Sequence, residues 1–93
     1  MDKPLNASDL NRLRRDGRQL DAAASVGKAG LTPGMAGQVC SLLDHHELVK
    51  VRIPAADKAG RTEMAEELAR QTGATLIDLL GRTVLLYKPA QGD

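Results

Sequence analysis

Residues 27–32 read Gly-Lys-Ala-Gly-Leu-Thr and run straight into Pro33, an order that permits little besides a strand-exit turn feeding a helix. Thr32 is a good N-cap, and Pro33 suits the first helical position, where an N–H would find no intrahelical acceptor. Gly27 and Gly30 allow positive φ and keep Cβ atoms out of the path of a ligand, while Lys28 sets a cation between them. The element Gly27-Lys28-Ala29-Gly30 therefore offers main-chain N–H groups, a point charge and the positive end of a helix dipole together. A sugar-phosphate backbone fits that chemistry, and the expected ligand is RNA. A motif this short also describes an ordinary strand-to-helix turn, so the rest of the chain has to decide.

The length of 93 residues accommodates one domain, 1–93 with a core of about 8–89, that hides roughly 60 to 65% of its unfolded surface. Lys and Arg number 13 against 12 Asp and Glu, so bulk charge gives no argument for nucleic acid. An electrostatic footprint has to come from segregation of charge on the surface. Tyr87 is the only aromatic residue besides the histidines, with no Phe or Trp. A base-stacking platform of the RRM or OB type is therefore excluded, and recognition is expected to rest on backbone and shape. The core falls to Leu, Val, Ile, Ala and Met. Cys40 has no partner for an internal disulfide, and the N-terminus lacks an apolar run of signal-peptide or membrane-span length. The chain reads as cytoplasmic, and Cys40 as a small core residue.

Along the chain, Ser8 or Asn6 caps a first helix whose Leu10, Leu13, Gly17 and Leu20 follow a three-and-four spacing toward the core. Arg14, Arg15 and Arg18 fall on the opposite side, with Arg12 at its edge, at about 100° per residue. Asp16 can offset Arg12 and Asp21 can reach Arg18. A short strand ends near Val26. The second helix is expected from Pro33 to about Asp44, with Met35, Val39, Leu42 and Leu43 inward. From Glu47 to Ile53 a strand alternates Val49, Val51 and Ile53 with Lys50 and Arg52, which puts two cations on one sheet face. A third helix starts either after an Asp57 cap or near Arg61, buries Met64, Ala65, Leu68 and Ala69, and ends at Gly73. Leu76–Leu80 and Thr83–Lys88 form a hairpin closed by Gly81-Arg82 in a type II′ turn, with Arg82 at the tip. The order is α-β-α-β-α-β-β, an α/β fold. Its first two strands are parallel if adjacent, by the right-handed crossover rule. Apolar residues on both faces of the hairpin predict that both sheet faces are at least partly covered.

Other constellations carry less. His45, His46 and Glu47 are consecutive near Cys40, but consecutive residues at a helix end splay apart, and no H-x-x-x-H or paired C-x-x-C spacing is present. A P-loop would need Gly where Ala22 stands and Ser or Thr where Ala29 stands, so nucleoside triphosphate hydrolysis is not expected. No catalytic residues, metal site or cofactor is assigned.

Four separated segments together resemble the CRM domain (chloroplast RNA splicing and ribosome maturation), and in particular its single-domain YhbY-like members. These are Gly27-Lys28-Ala29-Gly30-Leu31-Thr32, His46-Glu47-Leu48-Val49-Lys50-Val51-Arg52-Ile53, Thr72-Gly73-Ala74, and Gly81-Arg82-Thr83-Val84-Leu85-Leu86-Tyr87-Lys88-Pro89. The resemblance spans about Leu10 to Pro89. It departs at Asp21-Ala22-Ala23-Ala24-Ser25-Val26, where the family has a proline followed by β-branched residues. The resemblance implies a four-stranded mixed sheet packed with helices, similar to the C-terminal domain of translation initiation factor three. It also implies a noncatalytic RNA-binding module that associates with ribosomal RNA of large-subunit precursors. The expected RNA-binding residues are Gly27, Lys28, Ala29, Gly30, Arg14, Arg15, Arg18, Lys50, Arg52 and Arg82, in a monomer with no membrane or small-molecule partner. Two other classes stay open: a protein-interaction domain with a basic face, and a small enzyme using His45 and His46.

Overall fold

A computed structural model describes residues 5–27, 29–54 and 56–89. Helix α1 (Ala7–Arg18) starts at Asn6 through a reciprocal capping box. The Asn6 Oδ1 accepts from the Asp9 N–H at 2.8 Å, and the Asp9 carboxylate accepts from the Asn6 N–H at 3.3 Å. The helix stops at Arg18, so Leu20 lies beyond it and is 38% exposed. The expected inward stripe therefore ends at Gly17.

Strand β1 (Ala24–Ser25) is short, as its alanine-rich sequence allows, but flanking bonds from Ala23 N–H to Lys50 O and from Val26 N–H to Arg52 O extend its pairing. Helix α2 (Pro33–His45) is capped by Thr32, whose hydroxyl accepts from the Met35 N–H at 3.2 Å. Strand β2 (Leu48–Arg52) follows. Helix α3 (Lys58–Thr72) resolves the two possible starts in favour of Asp57, whose carboxylate accepts from the Gly60 N–H at 2.8 Å. It ends at Gly73, with φ of 72° in the left-handed region, where glycine avoids a Cβ clash. Strands β3 (Thr75–Leu80) and β4 (Thr83–Tyr87) form the hairpin. Gly81 has φ of 60° while no non-glycine residue among those described has positive φ, the pattern of a type II′ turn.

The sheet order is β1-β2-β4-β3, parallel between β1 and β2 and antiparallel elsewhere. The three helices and four-stranded mixed sheet agree with the sequence reading; the insertion of β4 between β2 and β3 is set by the pairing itself. On one face Val49, Val51, Ile53, Val84 and Leu86 pack with Val39, Leu43, Ala65 and Leu68 of α2 and α3. On the other, Ile77 and Leu85 pack with Leu13 of α1, joined by Leu10, Leu48 and Tyr87. Helix α1 is thus the cover of the second face.

Two irregularities shape that second face. A Cβ built on Gly17 would run into the Leu85 side chain, so the missing side chain lets α1 sit close to the sheet. Replacing Gly17 by Val is expected to cost about 2 kcal/mol through overpacking and to lower the melting temperature by roughly 10 °C. Gly17→Ala should fall between, because alanine recovers about 1 kcal/mol of helix propensity; thermal melts of both variants check this. The second irregularity is a bulge in β3: Leu76 pairs with Leu86 but Asp78 pairs with Leu85. Ile77 and Asp78 therefore share one step of β4, and the Asp78 carboxylate accepts from the Leu79 N–H at 3.0 Å.

Candidate nucleic-acid interface

The loop that leaves β1 is a closed turn: the Gly30 N–H bonds the Gly27 carbonyl at 3.0 Å. Gly30 has φ of +79° and Gly27 does not adopt positive φ, so the two glycines serve different ends. Gly30 supplies backbone conformation. Gly27 supplies access, because a Cβ built there meets no atom within 4 Å. Ala29 is exposed beside them, and Lys28 lies outside the described residues. The loop delivers the chain to Thr32 and the first turn of α2, where Pro33 has no N–H and the Met35 and Ala36 N–H groups bond Thr32, so the Gly34 N–H and the helix dipole are what favour an anion.

Strand register gathers the other cations around this loop. Val26, next to Gly27, bonds the Arg52 carbonyl, and the Ile53 N–H bonds the Arg82 carbonyl at 2.8 Å. Ser25 pairs with Arg52, and Arg52 with Thr83. The exit of β1, the end of β2 and the tip of the hairpin therefore lie side by side at one end of the sheet. Arg52 and Arg82 are both exposed there.

From Thr83 the same face runs on into a cleft between α1 and the sheet. Arg14 and Arg18 form its helix wall, Lys50 and Asp78 rise from the strands, and Leu85, Thr83 and Leu80 form the floor and rim. Three cations of the expected set thus converge. Lys50 commits one of its donors to the Leu20 carbonyl at 2.9 Å, which pins the chain leaving α1 and holds the ammonium in place; an ammonium carries three such donors. Arg15 does not line this cleft and is exposed on the outer side of α1, so the arginines divide between two surfaces.

The expected Arg12–Asp16 and Arg18–Asp21 pairs do not form; the ion pair among the described residues is Glu67–Arg70 at 2.7 Å. Exposed pairs gain too little to hold two long side chains in one geometry. Along α3, Glu63, Glu66 and the Glu67–Arg70 pair line a groove of about 470 Å³ that reaches Leu31.

The histidines stand apart from this surface. His45 Nδ1 lies 3.0 Å from the Ser41 carbonyl, and His46 caps α2 through its backbone N–H to Leu42 O, with its ring exposed rather than packed at the junction. Glu47 contributes its carbonyl, which accepts from the Lys88 N–H. Among the described residues no three His, Cys, Asp or Glu side chains gather as metal ligands. Cys40 is half-buried, 3.8 Å from the Thr72 carbonyl.

Asp78, Leu80 and Thr83 line the cleft but were absent from the expected site. A sequence signal for Asp78 exists in Leu76-Ile77-Asp78-Leu79-Leu80, where one carboxylate interrupts an apolar strand.

The chain is similar to known proteins in sequence and in fold. An RNA-binding protein of Haemophilus influenzae is 31% identical over 72 residues, covering 77% of this chain and 73% of the relative. A Bacillus subtilis protein named "Probable RNA-binding protein YqeI" is 29% identical over 79 residues, 85% of this chain and 82% of the relative. The solution structure of a hypothetical protein from Staphylococcus aureus has the same fold, with a TM-score of 0.84 at 24% identity over 97% of this chain and 94% of that one. The family model for the CRS1/YhbY (CRM) domain matches residues 5–88, and the chain belongs to that family.

Proposed function

We propose that this protein is a noncatalytic, monomeric, single-domain RNA-binding protein of the cytoplasm that grips structured RNA by its backbone. In this reading the RNA is ribosomal RNA of large-subunit precursor particles, and the protein acts during ribosome maturation. The observation that carries the RNA-binding part is the junction at one end of the sheet. Gly27–Gly30, Arg52 and Arg82 meet there and continue into the cleft of Arg14, Arg18 and Lys50. The names of the relatives support the same ligand class. With one aromatic side chain, specificity rests largely on the shape of the RNA. Precursor ribosomal RNA offers such shapes before packing covers them.

Filter-binding titration against a structured fragment of large-subunit ribosomal RNA tests the first part, with affinity expected to fall steeply as salt rises. Fractionation of cell extracts at low salt tests the second. The protein should sediment with incomplete large subunits, be depleted from translating ribosomes, and be released at higher salt. Recovery only as free protein, or equal recovery with mature ribosomes, would overturn the maturation role.

A further inference from the structure

The cleft between α1 and the sheet contains a group that a backbone-gripping surface does not need. Asp78 sits among Arg14, Arg18 and Lys50, where a carboxylate opposes the binding of phosphate. It is in ion-pair contact with none of them, since the ion pair among the described residues is Glu67–Arg70. Its Oδ1 accepts from the Leu79 N–H, which orients the carboxylate and leaves acceptor lone pairs on both oxygens. Next to it Leu80 is 67% exposed, the most exposed of the large apolar side chains among the described residues. An acceptor, an apolar rim and three cations thus face one opening.

We propose that this cleft reads a single unpaired guanine in the bound RNA, an inference that rests on the RNA-binding reading above. The volume of this open cleft is about 90 Å³, room for the edge of one heterocycle rather than for a whole nucleotide or a small-molecule ligand of ordinary size. The phosphates flanking the base stay outside, on Arg14 and Arg18. An acceptor-only carboxylate selects a base by its donors. Guanine presents two parallel donors, N1–H and the N2 amino group, beside an O6 acceptor that a cation can meet. Adenine and cytosine each set a ring-nitrogen acceptor beside their one amino group, and uracil flanks its single N–H with carbonyls. Leu80 and Leu85 supply apolar surface for the ring in place of an aromatic platform. The bulge delivers this geometry by turning Asp78 to the α1 face beside Ile77.

The competing account makes Asp78 a guard on the edge strand β3, since an inward-pointing charge discourages edge-to-edge pairing. The two separate in a binding experiment with four RNA hairpins that share one stem: fully paired, or carrying a single bulged guanosine, inosine or adenosine. The parent protein should prefer bulged guanosine over bulged adenosine by about tenfold, as a bidentate base interaction provides. Inosine, which lacks the N2 amino group, should fall between them. Asp78→Asn keeps the shape and the oxygen facing the Leu79 N–H, yet should bring guanosine and adenosine to within about twofold, because an amide cannot accept both guanine donors. Equal binding of bulged guanosine and adenosine by the parent, with the stem still bound, would overturn the guanine site and leave RNA binding standing. Guanosine preference that survives in Asp78→Asn would overturn the role of Asp78. Failure to bind any of the four hairpins would remove the inference together with the reading beneath it.

Discussion

Changing Arg14, Arg15 and Arg18 together to Gln is expected to weaken binding to structured RNA by roughly 10- to 100-fold near 0.1 M salt and to flatten its salt dependence. Every phosphate that is no longer neutralised takes about 0.7 to 0.9 from the slope of log affinity against log salt. The three residues should not contribute equally. Arg14 and Arg18 line the cleft with Lys50, whereas Arg15 is exposed away from it, so Arg15→Gln alone should change the slope least. Stability should change little. Arg15 and Arg18 stand in the last turn of α1, where cations favour the helix dipole, but their removal also relieves the repulsion between Arg14 and Arg18. Titrations at several salt concentrations, with a thermal melt of each variant, check both statements. An unchanged slope in the triple variant would return the arginines to the role of a solvated helix face.

Asp at Gly27 should lower RNA affinity about tenfold or more, the cost of setting a negative charge against a phosphate, and leave the melting temperature near that of the parent. Gly27 has open space around it and no positive φ, so this variant changes charge and access without straining the backbone. Gly30→Asp should lose both affinity and stability, because φ of +79° costs an L-residue about 1–2 kcal/mol. The pair of variants separates the two contributions of the loop, and Gly30→Ala isolates the strain alone. Circular dichroism melts and filter binding on the same preparations read them. If Gly27→Asp folds and binds RNA as the parent does, the loop is a turn and nothing more.

The division of labour between Gly27 and Gly30 was not visible in the GxxG motif, since both letters are the same and only the folded turn assigns φ. Lys50 was similarly half legible. Alternation along β2 placed it with Arg52 on one face, but its bond to the Leu20 carbonyl joins residues 30 positions apart. His46 ends α2 through its backbone N–H while its ring stays exposed, because a residue's backbone role at a helix end says little about where its ring goes.

What the chain determined by itself is what neighbouring residues can decide. Thr32 and Pro33 start α2, Gly73 ends α3, and Gly81 turns the hairpin, because a cap or a positive φ is satisfied within a few residues. Strand alternation likewise assigned Val49, Val51 and Ile53 to a common face. Tertiary structure decided the rest: the place of β4 between β2 and β3, the docking of α1 on the second face through Gly17 and Leu85, and the separation of Arg15 from Arg14 and Arg18. It also decided that Asp78 faces the cleft, since a bulge shifts its pairing partner without changing any residue. These outcomes depend on register and helix placement between segments distant in sequence. Such arrangements are selected by packing over the whole core, so no local pattern encodes them.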